Sequence, residues 1–436
     1  MAGTGKTALA LGVLRSLEKR EKILYLCTRA SPSSVIRDHP WLGDVFDVSP
    51  KHRKVMDEGE LEDVGIFVDG RLDEPATLFE RITDELMNTP RPTIVIDSWD
   101  SVADMMEKEA YYSNTRMLQS WRDKTRARLI LIVEDPSDTT FDYLVDGVIV
   151  LRRGIWDGRV LREIYLSKLI GVDVERPSYY YTLKGSFFRC FMAQSNESFA
   201  LPSFVTAGGV PAPHRPSVAV RGRLETGFEE LDVALGGGLA PRSVVLLELD
   251  PTVDPKVISL LVGRLAAAAA GSGVPVGVGL FGLADPVYTK RFLGLSLPPP
   301  SMELVSITPS AGATLKKRSS DSEGRGAWQS SVKEWKTGMT KTSKGGLAIL
   351  SYGSDRSGLV ATVAGLVREL TPNSSSVVVC SPYSGGQAPF PVDVRLRLQE
   401  RKGTIFFKSD IPWTKLYGVT VDRSGGVPRI GLEPVV

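Results

Sequence analysis

The stretch Met1-Ala2-Gly3-Thr4-Gly5-Lys6-Thr7, at positions 1–7, matches all but the first position of the phosphate-binding loop pattern G-x-x-x-x-G-K-[ST]. In such a loop the glycine lets backbone N–H groups point at phosphate oxygens, the lysine reaches the β- and γ-phosphates, and the threonine hydroxyl ligates Mg²⁺. These roles fall on Gly5, Lys6 and Thr7. The stretch therefore predicts a nucleotide site, with ATP and Mg²⁺ as the expected cofactors.

The apolar run Ala8–Leu14 predicts a helix whose positive N-terminal end supports the bound anion. A loop of this kind normally follows a buried strand, and the sequence has no residues before the loop to form one. We expect an apolar strand and the first loop glycine to be encoded just upstream of Met1. If Met1 is the true start, the loop lies on a frayed terminus and nucleotide affinity should be poor.

The chain of 436 residues is long enough for two or three domains, and its 53 basic and 51 acidic residues leave a net charge of +2. This balance gives no overall attraction to nucleic acid or membrane, so such binding would need a local patch. The cysteines Cys27, Cys190 and Cys380 lie far apart and fit no disulfide or metal pattern. Since there is no run of roughly 18 apolar residues and no signal peptide, we expect no membrane partner and a cytoplasmic location.

Alternating helical and short apolar segments in the first part of the chain predict a mostly parallel sheet flanked by helices. The strands are expected at Ile23–Cys27, Gly65–Val68, Thr93–Ile96, Leu129–Val133 and Gly147–Leu151, with helices such as Ala76–Asn88 and Thr115–Lys124. After Leu151 the pattern changes to hairpin-like strands, Arg159–Ser167 and Tyr179–Leu183. We expect these to extend the edge of the parallel sheet.

A stretch rich in proline, glycine and serine, residues 194–220, is typical of a linker between a first domain at 1–193 and a second at 221–436. The second domain repeats the plan of the first and ends in a hairpin. Its strands are predicted at Val244–Leu249, Val276–Leu280, Leu347–Ser351, Ser376–Cys380 and Val392–Leu398, and its hairpin at Gly403–Lys408 and Leu416–Asp422. The fold class is therefore α/β, with two tandem domains that each end in an antiparallel hairpin.

A segment rich in serine, glycine and lysine, residues 314–344, interrupts the second domain and also contains Trp328 and Trp335. One interpretation is a solvated flexible loop. The other is a contact surface for nucleic acid or for an acidic protein partner, because lysine and arginine neutralise phosphates and tryptophan stacks on bases. Nothing in the sequence resembles a helix-turn-helix or a zinc finger, so sequence-specific reading of DNA is not supported.

An apolar strand that ends in an acid, Thr93-Ile94-Val95-Ile96-Asp97, supplies the second part of the predicted site. In a parallel sheet this places the Asp97 carboxylate beside the phosphate loop, where it can hold Mg²⁺ through water. The alternative is a core strand that ends in an acidic turn. Pairing with the loop favours the nucleotide site, in which Thr7 and Asp97 are the expected metal ligands and Lys6 and Asp97 the expected catalytic residues.

This combination resembles the RecA/KaiC group of P-loop ATPases. Residues Tyr143–Leu151 are similar to that group's "aDgvi.L" strand, and Leu224–Leu239 to its "tGi..lD.ll.GGl" pattern. Within the group, Tyr25–Arg29 and His39–Leu42 look most like archaeal gas-vesicle regulators of the GvpD type. The resemblance implies two RecA-like domains, ATP binding, assembly into homo-oligomeric rings and a regulatory function. The residues that it places around the nucleotide are Gly3, Thr4, Gly5, Lys6, Thr7, Ala8 and Arg29.

The sequence departs from that group at the positions that promote hydrolysis. KaiC-type ATPases carry a glutamate pair that orients the attacking water, and this chain has Thr28-Arg29 there. An arginine is not a base, although it would stabilise bound phosphates. Ile170 replaces the arginine of the group's K-x-R segment, which leaves Lys168 as a possible trans-acting cation. Glu134 is either a substitute base or a solvated strand end. These departures imply slow hydrolysis.

The second domain lacks a working phosphate loop at the position where one is expected. Residues Glu248–Val257 contain no glycine, two prolines that remove amide donors, and aspartates that repel phosphate. Lys256 is a possible relic of the loop lysine, and the strand that matches the one before Asp97 ends in Ser351. We therefore expect this domain to bind no nucleotide and to serve in packing or assembly.

Three functions remain open at this point. The first is an ATP-dependent regulatory protein in which nucleotide bound to the first domain changes partner binding through the second. The second is a DNA-handling motor or recombination accessory, which would need DNA-stimulated turnover and salt-dependent binding. The third is a non-catalytic scaffold in which even the first site is inactive.

Overall fold

The chain folds into two compact units, the first formed by Met1–Cys190 together with Val436 and the second by Phe191–Val435. The structure is a computed structural model that describes residues 3–17, 22–46, 50–51, 63–64, 66–89, 91–135, 140–202, 222–308, 346–353, 357–372, 374–383 and 386–436. The basic segment predicted at 314–344 and residues 203–220 of the predicted linker lie outside these ranges. None of the described helices is both long enough and apolar enough to cross a membrane.

The first unit is built on a six-stranded, mostly parallel sheet. Its strands are β1 (Ile23–Cys27), β2 (Pro50–Lys51), β3 (Asp63–Val64), β4 (Phe67–Asp69), β5 (Thr93–Asp97) and β6 (Arg128–Ile132). Their order is β2-β3-β4-β1-β5-β6, and β4, β1, β5 and β6 run parallel. Near-continuous apolar runs form these strands because helices cover both faces of the sheet. The predicted parallel α/β sheet is confirmed.

Five α-helices flank this sheet among the residues of the first unit that the structure describes. They are α1 (Lys6–Ser16), α2 (Pro32–Asp38), α3 (Pro75–Asn88), α4 (Trp99–Ala103) and α5 (Lys108–Thr125). Helix α5 begins at Lys108 rather than at the predicted Thr115. The earlier turns are held by packing, since the Tyr111 ring lies against Trp99 with 6.2 Å between the ring centroids.

Four antiparallel strands of the first unit form a separate sheet. They are β7 (Gly147–Trp156), β8 (Arg159–Leu169), β9 (Ser178–Thr182) and β10 (Arg189–Cys190), in the order β10-β9-β8-β7. The expectation that they extend the edge of the parallel sheet is therefore wrong. Strand β7 pairs with β8 along its whole length, and among the described residues no strand bridges β7 to β6.

The second unit contains a nine-stranded sheet. Its strands are β11 (Ser243–Leu249), β12 (Val276–Phe281), β13 (Val305–Thr308), β14 (Gly346–Tyr352), β15 (Ser374–Pro382), β16 (Val394–Arg401), β17 (Thr404–Ile411), β18 (Tyr417–Asp422) and β19 (Arg429–Pro434). The order is β13-β12-β14-β15-β11-β16-β17-β18-β19, with the last three strands antiparallel. Here β11 pairs in parallel with both β15 and β16, so the antiparallel strands continue the parallel sheet.

Helices of the second unit cover this sheet. They are α6 (Glu229–Ala234), α7 (Pro255–Gly271), α8 (Pro286–Ser296), α9 (Pro299–Met302) and α10 (Ser357–Leu370). Residues 194–202, which composition assigns to the linker, pack on this unit. Phe199 is 2% exposed and belongs to the same apolar core as α7 and β11. An aromatic side chain of this size stabilises the fold most when it is fully buried, which explains why the segment is ordered.

The segment Leu224–Leu239 forms a compact, hydrogen-bonded motif at the start of the second unit. The Asp232 carboxylate accepts hydrogen bonds from the backbone N–H and the hydroxyl of Thr226, at 2.8 and 2.7 Å. Leu224 and Leu239 pair through both backbone bonds. Gly238 has a φ of +106°, and a Cβ there would lie 2.4 Å from the Leu224 carbonyl oxygen. The glycines and the aspartate of this motif therefore serve the fold.

This packing predicts that Gly238→Ala destabilises the protein more than Gly236→Ala. Both positions have a positive φ, but a Cβ at Gly236 meets no atom within 4 Å. We expect the free energy of unfolding to fall by about 3 kcal/mol for Gly238→Ala and by about 1 kcal/mol for Gly236→Ala. Urea unfolding followed by circular dichroism measures both. Equal losses would show that the Leu224 contact does not constrain the motif.

Candidate functional site

The phosphate loop leads into α1 through a glycine in the left-handed region. Gly5 is the N-cap of α1, with φ 88° and ψ 26°. A Cβ at this position would lie 2.8 Å from both methyl carbons of Leu183. Glycine is therefore favoured by its dihedral angles, and any side chain at this position would also have to displace Leu183.

Helix α1 is held against the sheet by its apolar face. Ala8, Ala10, Leu11 and Leu14 are buried, and Leu11 and Leu14 join a core that includes Tyr25 and Val95. Gly5 has no side chain to cap the first turn, so the N–H groups at the start of α1 remain the natural donors for an anion. Of the residues predicted around the cofactor, Ala8 thus acts through the packing of the helix.

The structure brings Thr7 and Asp97 into direct contact. The Thr7 hydroxyl donates a 2.7 Å hydrogen bond to Asp97 Oδ2. Asp97 reaches this place because β5 lies between β1 and β6 and ends there, in register with Cys27 and Ile132. A hydroxyl and a carboxylate side by side are the oxygen ligands that Mg²⁺ prefers, so the donor set fits the expected ion.

Tyr25 is a member of this cluster that the sequence did not reveal. Its side chain is fully buried, and its hydroxyl donates a 2.7 Å hydrogen bond to the same Asp97 Oδ2. Burial, with the neighbouring Asp97 charge, raises the pKa of Tyr25 well above its ordinary value, so the hydroxyl stays protonated. Tyr25 therefore fixes the orientation of the Asp97 carboxylate.

Two further residues that were not predicted hold the carbonyl groups of the loop. The Tyr181 hydroxyl donates to the Thr4 carbonyl oxygen, and Arg162 Nη1 donates to that of Gly3 at 2.8 Å. Both side chains are buried, and the Tyr181 ring stacks on Phe188 with 4.4 Å between centroids. With the carbonyls held from this side, the loop conformation is fixed before an anion arrives.

Three charged residues of the prediction meet beside the loop. Glu134 Oε1 lies 2.9 Å from Arg29 Nη1 and 3.7 Å from Lys6 Nζ. Burial by itself raises the pKa of Glu134, but the charges of Lys6 and Arg29 outweigh it and leave the pKa below its ordinary value. The Glu134 carboxylate is thus ionised and engaged by cations at neutral pH.

The hydrogen bond of the Lys168 side chain is not made to this cluster. Its ammonium group donates to the Asp142 carbonyl oxygen at 2.9 Å. Ile170, at the position of the K-x-R arginine, has an exposed side chain. Any action of Lys168 on a second subunit stays a prediction.

The segment 248–257 of the second unit, where the sequence predicts a lost phosphate loop, is rich in carboxylates. Asp254 caps α7 by accepting a 2.7 Å hydrogen bond from the Lys256 N–H, and Asp250 accepts from the Thr252 N–H and hydroxyl. Glu248, only 3% exposed, accepts hydrogen bonds from Arg395 and Arg397. The carboxylates of this segment are therefore engaged by backbone N–H groups and by arginines of the same unit.

Comparison with known proteins points to one family. Residues 1–167 match the family model described as GvpD gas vesicle protein, P-loop domain. Protein GvpD1 of Halobacterium salinarum is 28% identical over 270 residues, which cover 59% of this chain and 48% of that protein. Protein GvpD2 of the same organism is 26% identical over 283 residues, covering 60% and 53%. The chain spans about half the length of these curated relatives. The predicted resemblance to GvpD-type P-loop proteins is confirmed.

The role of Tyr25 predicts a defect that depends on Mg²⁺. Tyr25→Phe removes one hydrogen bond to Asp97 and keeps the buried ring, so we expect the Mg²⁺ concentration for half-maximal ATP binding to rise about three- to tenfold. ATP binding in EDTA should not change. The measurement is a Mg²⁺ titration at fixed ATP. The control is Tyr179→Phe, which removes a tyrosine hydroxyl from strand β9. An equal loss with and without Mg²⁺ would contradict a role through Asp97.

The role of Tyr181 predicts a defect in ATP binding that does not depend on Mg²⁺. Tyr181→Phe removes the hydroxyl that holds the Thr4 carbonyl, so the loop loses part of its fixed conformation. We expect ATP affinity to fall about three- to tenfold both in Mg²⁺ and in EDTA. Calorimetric titration of ATP under the two conditions measures this. Unchanged affinity would mean that the loop holds its shape without Tyr181.

Proposed function

We propose that this GvpD-like P-loop protein binds ATP with Mg²⁺ at the first unit and uses nucleotide occupancy to regulate a partner in gas vesicle formation. The observation that carries the proposal is the junction of Thr7 and Asp97 at 2.7 Å, directly after Lys6 and at the carboxyl end of β5. These are the groups that hold a metal-bound triphosphate in P-loop proteins. The family match over residues 1–167 supports the same assignment.

Each residue of the loop has a defined task in this proposal. The backbone N–H groups around Gly5 receive phosphate oxygens, and the Lys6 ammonium binds the β- and γ-phosphates. Thr7 and Asp97 would hold Mg²⁺, which when bound neutralises part of the phosphate charge. Tyr25 keeps the Asp97 carboxylate oriented, and Tyr181 keeps the loop in shape.

Hydrolysis at this site is proposed to be slow. A general base needs a carboxylate that can accept a proton at the operating pH. Glu134 is held by Arg29 and Lys6, and the charges of these residues lower its pKa, which makes it a weak base. Arg29 stands where related ATPases have an acid. Nucleotide occupancy, rather than rapid turnover, is therefore proposed as the signal.

We further propose that the second unit binds no nucleotide and that partner binding changes through this unit. The segment where a phosphate loop would be expected contains Asp250 and Asp254, whose carboxylates accept hydrogen bonds from the backbone N–H groups of Thr252 and Lys256. Homo-oligomeric assembly and a contact of the basic segment 314–344 with an acidic protein or nucleic acid are further proposals that follow from the sequence.

A pair of lysine substitutions tests the location of the nucleotide. Lys6→Ala should weaken ATP binding roughly 10- to 100-fold, because a hydrogen-bonded charge is lost from the phosphates. Lys256→Ala changes the lysine at the matching place of the second unit and should leave affinity unchanged. Isothermal titration of ATP with Mg²⁺ into wild type and both variants measures this.

The same titration separates the alternatives. Loss of affinity in Lys256→Ala but not in Lys6→Ala would place the nucleotide in the second unit and overturn the proposal. No binding by wild type would favour a scaffold. ATP turnover stimulated by DNA and strongly dependent on salt would favour a DNA-handling enzyme.

A further inference from the structure

One carboxylate oxygen of Glu134 lies within ion-pairing distance of two cations that the sequence assigns to phosphate. Glu134 Oε1 is 2.9 Å from Arg29 Nη1 and 3.7 Å from Lys6 Nζ. The side chains of Glu134 and Lys6 are only 27% and 20% exposed. Water therefore screens the contact between Lys6 and Glu134 less than it screens a surface pair, whereas the Arg29 side chain is 57% exposed.

The position of Glu134 is fixed by the backbone around it. The Asp100 carboxylate accepts a 2.6 Å hydrogen bond from the Glu134 N–H and a 3.2 Å bond from the Asp135 N–H. Asp100 lies in the first turn of α4, directly after β5 and Asp97. The loop after β6 is therefore held at the same sheet edge that carries Asp97. The two hydrogen bonds to Asp100 place Glu134 beside the phosphate loop.

We infer that Glu134 is an internal anion that competes with nucleotide phosphate for Lys6. The inference rests on the proposed function, because it concerns the same site. A phosphate oxygen bound to Lys6 would lie close to the Glu134 carboxylate, and two like charges at this separation repel. Binding of a di- or triphosphate therefore requires Glu134 to withdraw from Lys6, and the site discriminates against weakly charged ligands.

Arg29 has a specific part in this exchange. Its guanidinium binds Glu134 and offers the carboxylate a second cation when it withdraws from Lys6. Arg29 is thus a positioning residue that acts through Glu134, in contrast to the direct phosphate contact expected from the sequence. Without Arg29, Glu134 would bind Lys6 more fully and nucleotide affinity would fall.

Glu134→Gln tests the inference, because it removes the charge and keeps the size of the side chain. We expect the dissociation constants of ATP and ADP to decrease about three- to tenfold, as for a partly buried ion pair. Asp38→Asn, which removes one exposed negative charge from α2, serves as the control and should change neither constant. Unchanged or weaker binding in Glu134→Gln would overturn the inference, and a lower turnover at unchanged affinity would identify Glu134 as a base instead.

A double-mutant cycle tests the part of Arg29. Arg29→Ala should weaken ATP binding about threefold or more in the wild-type background and have almost no effect in the Glu134→Gln background. Equal losses in both backgrounds would show that Arg29 contacts phosphate directly and would contradict its action through Glu134. Circular dichroism spectra and melting temperatures of all variants verify that each one folds.

Failure of this inference differs from failure of the proposed function. If wild type binds ATP and Lys6→Ala does not, the nucleotide site stands whatever Glu134→Gln does. If neither wild type nor Glu134→Gln binds ATP, the proposed function fails, and there is no nucleotide phosphate for Glu134 to compete with.

Discussion

The hydrogen bond from Thr7 to Asp97 is the interaction on which the proposed nucleotide site of the first unit depends. It joins the start of α1 to the carboxyl end of β5, two segments 90 residues apart in the chain. Three things make the contact possible: the left-handed Gly5, the apolar face of α1 and the parallel register of β5 with its two neighbours.

Charge balance around this contact determines how the site responds to a ligand. Lys6 and Arg29 supply positive charge, and Glu134 cancels part of it in the absence of nucleotide. In the inference drawn above, a phosphate must displace the Glu134 carboxylate from Lys6 in order to bind. In the second unit, the Asp250 and Asp254 carboxylates accept hydrogen bonds from the backbone N–H groups of Thr252 and Lys256.

Part of this site could be predicted from the sequence because its pieces are local. The glycine, lysine and threonine of the loop are consecutive, and Asp97 directly follows its apolar strand. Tyr25 could not be found this way, since a tyrosine in a strand looks like any core residue. Its partner is set by the pairing of β1 with β5, which places Tyr25 opposite Val95 and its hydroxyl near Asp97. Tyr181 and Arg162 were missed because they lie on β9 and β8, strands that were expected at the edge of the parallel sheet and instead form a separate sheet.

The central claim is that backbone N–H groups of the first unit, and not of the second, receive the phosphates. Hydrogen–deuterium exchange with and without ATP and Mg²⁺ measures those amides directly. The account predicts slower exchange in peptides that cover residues 3–9 and no change across residues 250–257. Protection across 250–257 with none at the loop would contradict it.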